Sequence, residues 1–183
     1  MMGAEKTEGG IRMRTTRVTV LPYDRAWQQA FENIKTELDK ALEGLILAIE
    51  HVGSTSVPGL SAKPCIDLDV VIEDRGRFDG VKAKLEALGY CHEGDLGIPD
   101  REAFGYKGKD HLMKHHLYVC PRDSDELRRH ITFRNYLRSH PEAAARYGAV
   151  KEEAARRFPE DIDGYMDCKA PCIAELYALC GLE

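Results

Sequence analysis

The chain has 183 residues, a formal net charge of −5, 43% hydrophobic residues and 31% charged residues. This length suffices for one well-packed domain and is too short for two large ones, and the composition is ordinary for a soluble globular protein. The acidic charge argues against long nucleic acid as a partner, and because there is no apolar run of about eighteen residues and no signal-peptide core, we expect a cytoplasmic protein without membrane contact.

The chain divides into a short N-terminal segment and one domain. Residues 1–14 are rich in glycine and charge without a periodic pattern, which predicts a flexible tail. Residues 15–183 are expected to form a single domain, with the sheet core at about 17–122 and the C-terminal helices at about 123–183. The six cysteines include no Cys-x-x-Cys pair, so we expect mostly buried, reduced thiols.

The first predicted helix begins near Asp24, which is a good N-cap. Apolar residues recur every three or four positions from Trp27 to Leu45, with polar residues opposite, and this spacing predicts an amphipathic helix that faces the core. A short apolar run from Leu45 to Ile49 then predicts a buried strand.

Small residues follow this strand as Gly53, Ser54, Thr55 and Ser56. Glycine lets the backbone approach a ligand closely, and N–H and hydroxyl groups are donors for phosphate oxygens. The turn is therefore a candidate phosphate-binding site, with a simple helix cap as the alternative. Lys63, at the entry to the next strand, could neutralise a phosphate or the nearby aspartates, or be a solvated surface lysine.

Two aspartates interrupt the apolar strand predicted from Pro64 to Ile72. Asp67 and Asp69 are two residues apart, so they share a face of the strand with roughly 7 Å between their Cα atoms. Carboxylates in an apolar strand lose hydration and repel each other, and a divalent metal or an arginine would remove that cost. Because Mg²⁺ takes one or two protein carboxylates together with substrate phosphates, the turn and the aspartates form a coherent nucleotide and metal site.

The rest of the chain continues the sheet and then turns helical. A helix from Phe78 to Leu88 is closed by a glycine, and strands are predicted at 103–107 and 115–120. Ser124 is a good N-cap for the first C-terminal helix. Two further helices are expected, one beginning near Pro141 and one after Pro159 that is kinked or broken by Pro171.

The Gly-Ser turn after one strand and the Asp-x-Asp on the next resemble the signature of the DNA polymerase β-like nucleotidyltransferase superfamily. The longer run HVGSTSVPGLSAKPCIDLDVVI, which spans residues 51–72, resembles more narrowly the GrpB family within that superfamily, over most of residues 18–170. The resemblance implies an α+β fold, a mixed β-sheet flanked by helices with a C-terminal helical segment.

The resemblance also suggests further site residues. Polymerase β-like transferases hold a third carboxylate on a later strand, but the strand at 115–119 has none. GrpB relatives carry a His-His-Leu-His type of strand there, from which Tyr118 departs. His116 is then a candidate base or ligand, suited to Zn²⁺, Mn²⁺ or Ni²⁺ more than to Mg²⁺, or a residue that is simply hydrogen-bonded in place. Arg101 and Arg134 match regions that hold arginines in the family and would suit a phosphate.

Together these observations predict metal-dependent transfer of a nucleoside monophosphate from a nucleoside triphosphate to a small-molecule or protein acceptor. Asp67, Asp69 and His116 would be catalytic and hold a divalent metal, Mg²⁺ or Mn²⁺, with Zn²⁺ as the alternative. The partner would be a nucleotide or another phosphorylated small molecule. Two other functions remain open: a catalytically silent nucleotide- or metal-binding regulatory module that lacks the third carboxylate, and a transition-metal-dependent hydrolase.

Overall fold

A computed structural model describes residues 17–182 as one mixed β-sheet with α-helices on both of its faces. The strands are β1 (Ala48–Val52), β2 (Ile66–Ile72), β3 (Tyr90–Gly94), β4 (Glu102–Tyr106) and β5 (His115–Pro121). The helices are α1 (Ala26–Ala41), α2 (Phe78–Ala87), α3 (Asp125–Ser139), α4 (Pro141–Arg157) and α5 (Ile162–Leu179). The predicted α+β fold class is confirmed.

The strand order places β2, which carries the two aspartates, next to β5, which carries His116. The order is β1-β2-β5-β4-β3, in which β2 and β5 are parallel and every other pair is antiparallel. In this register Asp67 is the partner of His116 and Asp69 is the partner of Tyr118. Because partners in adjacent strands point to the same face, these four side chains share one face of the sheet.

The opposite face of the sheet forms the main hydrophobic core. Alternate residues of β2, from Ile66 to Ile72, pack there against α1 and α2. Helix α1 contributes a fully buried stripe, Trp27, Phe31, Ile34 and Leu38. Each such side chain contributes roughly 1.5–3 kcal/mol through burial. This core therefore fixes which face of β2 its aspartates occupy.

Two boundaries near the first strand differ from the sequence prediction. Helix α1 ends at Ala41 rather than continuing to Leu45, because Gly44, with a φ of 75°, turns the chain back toward the sheet. Strand β1 starts at Ala48 instead of Leu45 and continues to Val52, since Glu50 and its neighbours pair with β2.

Helix α3 packs on the aspartate face of the sheet, and α4 and α5 pack against the turn that contains Val57 and Leu60. Helix α3 is capped by Ser124, whose Oγ accepts from Leu127 N at 3.3 Å, and α4 begins at Pro141 as predicted. Of the kink or break predicted at Pro171, the break is wrong, since α5 is continuous through the proline. Cys172 and Leu176 after the proline are buried beside α4, and this packing offsets the lost backbone hydrogen bond.

Three other sequence predictions concern the surface and the chain start. All six cysteines lie in the described range as free thiols, but Cys91 is exposed rather than buried. The predicted flexible tail at 1–14 lies outside the described residues, and among residues 17–182 no helix has the length and apolar character to cross a membrane.

Candidate active site

The Gly53 turn lies directly against the carboxylate of Asp67. Val52, the last residue of β1, pairs with Asp67, so the chain turns away from the sheet beside that side chain. Gly53 has a φ of 68°, and a Cβ there would lie 2.9 Å from both Cβ and Cγ of Asp67 and closer still to Oδ2. Glycine is therefore required twice, for its backbone conformation and for the space that the carboxylate occupies.

The hydroxylated residues of the turn have different surroundings. Thr55 and Ser56 are buried: Thr55 Oγ1 lies 3.0 Å from His51 Nε2, and Ser56 Oγ donates to the Gly53 carbonyl at 2.6 Å. Arg138 of α3 donates to the Ser56 carbonyl at 2.8 and 3.0 Å. Ser54 is half-buried beside Tyr147 of α4. Thr55 and Ser56 thus fix the shape of the turn, and Ser54 is the hydroxyl best placed to meet a ligand.

Asp67 and His116 form an open ion pair next to Cys65. His116 Nδ1 lies 2.8 Å from Asp67 Oδ1, and Cys65 Sγ lies 3.8 Å from each ring nitrogen of His116. Hydrogen bonds to Asp67 and then to Cys65 raise the pKa of His116 to about 10, against the effect of burial. His116 and Asp67 are 47% and 33% exposed, so the pair faces solvent.

Asp69 shares this face but is enclosed. It is 0% exposed, and its Oδ2 lies 2.8 Å from Nδ1 of His130 on α3. The other nitrogen of His130 lies 3.2 Å from Glu126 Oε1. Burial would lower the pKa of His130, but its bonds to the two carboxylates outweigh burial and raise it to about 10. His130 therefore bridges two acids at the sheet-facing side of α3, and burial raises the pKa of Asp69. Among residues 17–182, Asp69 Oδ1 is buried without a hydrogen-bond partner.

Lysines from three parts of the chain lie within electrostatic range of one another, and two of them, Lys151 and Lys169, also of Asp67. Lys151 of α4 is 2% exposed, and its Nζ lies 4.5 Å from the centre of the Tyr147 ring. Within the part of the chain that the structure describes, this Nζ has no hydrogen-bond partner. Burial, followed by the charge of Lys169, lowers the pKa of Lys151 to about 7, although Asp67 raises it. Burial and the charge of Lys63 lower the pKa of Lys169 to about 8. These groups are close enough to sense one another, and we call Lys63, Lys151 and Lys169 the lysine cluster.

The two arginines named from the sequence are engaged in protein contacts. Arg101 stacks 4.5 Å from the centre of the Tyr118 ring, and its Nη1 lies 4.0 Å from Glu126. Arg134 donates to Glu50 at 2.6 Å and to the His51 carbonyl at 3.0 Å. Both are well buried, and phosphate binding by either remains a prediction.

Several neighbours of the site were not found from the sequence. Cys65 was detectable, since it stands two residues before Asp67 and so shares its face. The pair Glu126 and His130 has the helical i,i+4 spacing, but the spacing does not say which strand it faces. Lys151 gave no signal, because a single lysine in an amphipathic helix normally belongs to the solvated side.

Comparisons with known proteins agree with this architecture. A family model described as "GrpB protein" matches residues 17–179. The chain is 39% identical to the UPF0157 protein PA4798 of Pseudomonas aeruginosa over 87% of its length and 31% identical to the UPF0157 protein YqkA of Bacillus subtilis over 84%. It spans only 66% and 44% of those two relatives, respectively.

Solved structures define the class of fold. The crystal structure of the conserved protein GrpB from Enterococcus faecalis is 34% identical, has a TM-score of 0.72, and the match covers 87% of this chain and 99% of that one. The Cid1 poly(U) polymerase with bound MgATP is 13% identical, with a TM-score of 0.54 over 75% of this chain and 45% of that one. The fold is thus nucleotidyltransferase-like. Within that class, the chain belongs to the GrpB family.

Proposed function

We propose that this protein binds a nucleoside triphosphate with a divalent metal and transfers the nucleoside monophosphate to a small-molecule or protein acceptor. The observation that carries the proposal is the contact between Gly53 and Asp67. A turn that can take phosphate oxygens and a carboxylate that can take a metal are then in contact, and the carboxylate is exposed to solvent, as nucleotide binding requires.

Each group has a role that follows from its surroundings. Gly53 and Ser54 would present backbone and hydroxyl donors to the phosphates, and the lysine cluster would offset their negative charge. Asp67 would be the first metal ligand, and the free Oδ1 of Asp69 is a candidate for the second, because a buried carboxylate oxygen without a partner suits a cation. The metal, when bound, would stabilise charge on the phosphates during transfer.

The acceptor is the open part of this proposal. A net charge of −5 disfavours long nucleic acid, so a small molecule or a protein side chain fits better. His116, beside Asp67 and exposed to solvent, is the candidate base for an acceptor hydroxyl if it has released its proton and holds no metal.

A silent binding module is favoured over an enzyme by one observation. Strand β5 holds no carboxylate. Glu50, the partner of Asp69 on β1, and Glu126 are already engaged, by Arg134 and by His130 respectively. A silent module would still bind the nucleotide. An enzyme with this site would have only His116 to deprotonate the acceptor.

Calorimetric titration of the purified chain with ATP, CTP, GTP and UTP, each with Mg²⁺ or Mn²⁺, tests the proposal. We expect saturable binding of at least one nucleotide that disappears when the metal is chelated, and release of pyrophosphate once a suitable acceptor is added. Binding without pyrophosphate release from any acceptor would support the silent module. Retention of Zn²⁺ without nucleotide affinity would support the hydrolase instead.

Lys151→Met is expected to stabilise the fold while weakening nucleotide binding. Removing an unpaired buried ammonium should raise the free energy of unfolding by about 1–3 kcal/mol at pH 7, and loss of a phosphate partner should lower nucleotide affinity by about 10-fold. Urea unfolding and calorimetry would measure both effects. The exposed Lys107→Met is the matched control and should change neither.

The stabilisation should also depend on pH. The folded-state pKa of Lys151, about 7, lies below its ordinary value of 10.5. Between these values the unfolded chain holds a proton that the folded chain lacks, so the free energy of unfolding of the parent protein rises with pH. Lys151→Met lacks this contribution, so its advantage should shrink from pH 7 to pH 9. A constant advantage over that range would contradict the assignment.

A further inference from the structure

Three potential metal ligands of different chemistry meet at the Asp67 side of the site. Cys65 and Asp67 are two residues apart and share a face, and the parallel register places His116 beside Asp67. Among residues 17–182, these form the group of histidine, cysteine and acidic side chains whose ligand atoms all lie within 4.8 Å of one another. The oxygens of Asp69 are outside this group, since Asp69 turns toward His130.

The distances suit a tetrahedral ion with little movement. For Zn²⁺, sulfur at about 2.3 Å and nitrogen at about 2.0–2.1 Å place the two ligand atoms about 3.6 Å apart. Cys65 Sγ lies 3.8 Å from each nitrogen of His116. Nδ1 of His116 and Oδ1 of Asp67, now 2.8 Å apart, would separate by roughly 0.6 Å as an ion replaced the proton between them.

The ligand types decide which metals fit. A thiolate and an imidazole are soft or borderline ligands, which Mg²⁺ rejects and Zn²⁺ or Co²⁺ accepts. With three protein ligands, a fourth position stays open, which is the arrangement of catalytic rather than structural zinc sites. Cys65 is buried at the base of the group, whereas Asp67 and His116 face solvent, so the open position would be reachable from outside.

We propose that Cys65, Asp67 and His116 bind a thiophilic transition metal of the Zn²⁺ class, with the fourth position available to an oxygen of the substrate. This inference rests on the proposed function for the identity of that substrate, but the metal site itself needs no nucleotide. With Cys65 as a ligand, this site would prefer Zn²⁺ or Co²⁺, whereas a site built from carboxylates alone would prefer Mg²⁺.

Titration of the metal-free chain with Co²⁺ tests the site, because Co²⁺ reports its ligands in its absorption spectrum. We expect a thiolate-to-cobalt charge-transfer band and intense tetrahedral ligand-field bands, which Zn²⁺ abolishes by displacement and excess Mg²⁺ does not. Cys65→Ser should remove the charge-transfer band, and the exposed Cys91→Ser should keep it. His116→Gln should weaken Co²⁺ binding by at least the roughly 10- to 100-fold that loss of an outer-shell partner costs.

A charge-transfer band that persists in Cys65→Ser, or its absence from the parent protein, would overturn the inference. The proposed function is judged by a separate nucleotide titration. Nucleotide binding with Mg²⁺ but without a thiolate band would contradict the proposed metal site and support the proposed nucleotide site. A thiolate band in a protein that binds no nucleotide would support the metal site and contradict the proposed function.

Discussion

Gly53→Ala is expected to reduce metal-dependent nucleotide affinity by about 10- to 100-fold. The added Cβ would lie 2.9 Å from Cβ and Cγ of Asp67 and closer to its Oδ2, distances at which one group must move. Asp67 is one-third exposed and can rotate away, so the fold should survive while the carboxylate leaves its position. Disturbing the groups that hold a metal ligand in place typically costs about 10- to 100-fold in metal affinity.

Gly59→Ala is the control for the strain of a positive φ, because its added Cβ has no contact like the one between residue 53 and Asp67. Gly59 also has a positive φ, 81°, but a Cβ there would meet nothing within 4 Å. Gly53→Ala should lose about 1–3 kcal/mol of stability, because a φ of 68° with a ψ of −174° is a conformation essentially restricted to glycine. Gly59→Ala should lose about 1 kcal/mol, and only Gly53→Ala should lose affinity. Calorimetry and thermal unfolding of the two proteins measure these quantities. Equal affinities in the two variants would show that the turn and Asp67 do not act together.

The relation between Gly53 and Asp67 was predictable from the sequence because it depends on local rules. A glycine at the end of one strand and alternating aspartates on the next have a fixed period, and pairing of the two strands brings them together. The GrpB resemblance, confirmed by the family comparison, added the surrounding fold. The limits of the first strand were less predictable, since Glu50 and His51 are polar residues held in β1 by pairing with β2 rather than by their own preference.

The differing environments of the two aspartates were not predictable. Their spacing makes them look equivalent, yet one faces solvent beside His116 and the other is covered by His130. The difference arises from the packing of α3 on the sheet, a contact between segments more than sixty residues apart in the chain. The burial of Lys151 was not predictable for the same reason. It depends on how α4 packs, and no periodic pattern in the sequence indicates it.

His130→Leu is expected to lower the free energy of unfolding by about 3–5 kcal/mol. Leucine keeps much of the apolar bulk but leaves the carboxylate of Asp69 fully buried without its cation. Urea unfolding at neutral pH measures the loss. His111→Leu is a matched control, because His111 pairs with Glu37 at 2.9 Å on the surface with its side chain 62% exposed. That change should cost less than about 1 kcal/mol, and similar losses in the two variants would contradict the role of His130.

The double variant Asp69→Asn with His130→Leu should recover most of the lost stability, because it removes the stranded charge together with its partner. The same protein separates the roles of the two aspartates. If the metal is held by Cys65, Asp67 and His116, the cobalt spectrum should be retained, since Asp69 contributes no atom to that group. If the spectrum were lost while the fold remained, the free Oδ1 of Asp69 would be a ligand, and the site would have to open beneath α3 to use it.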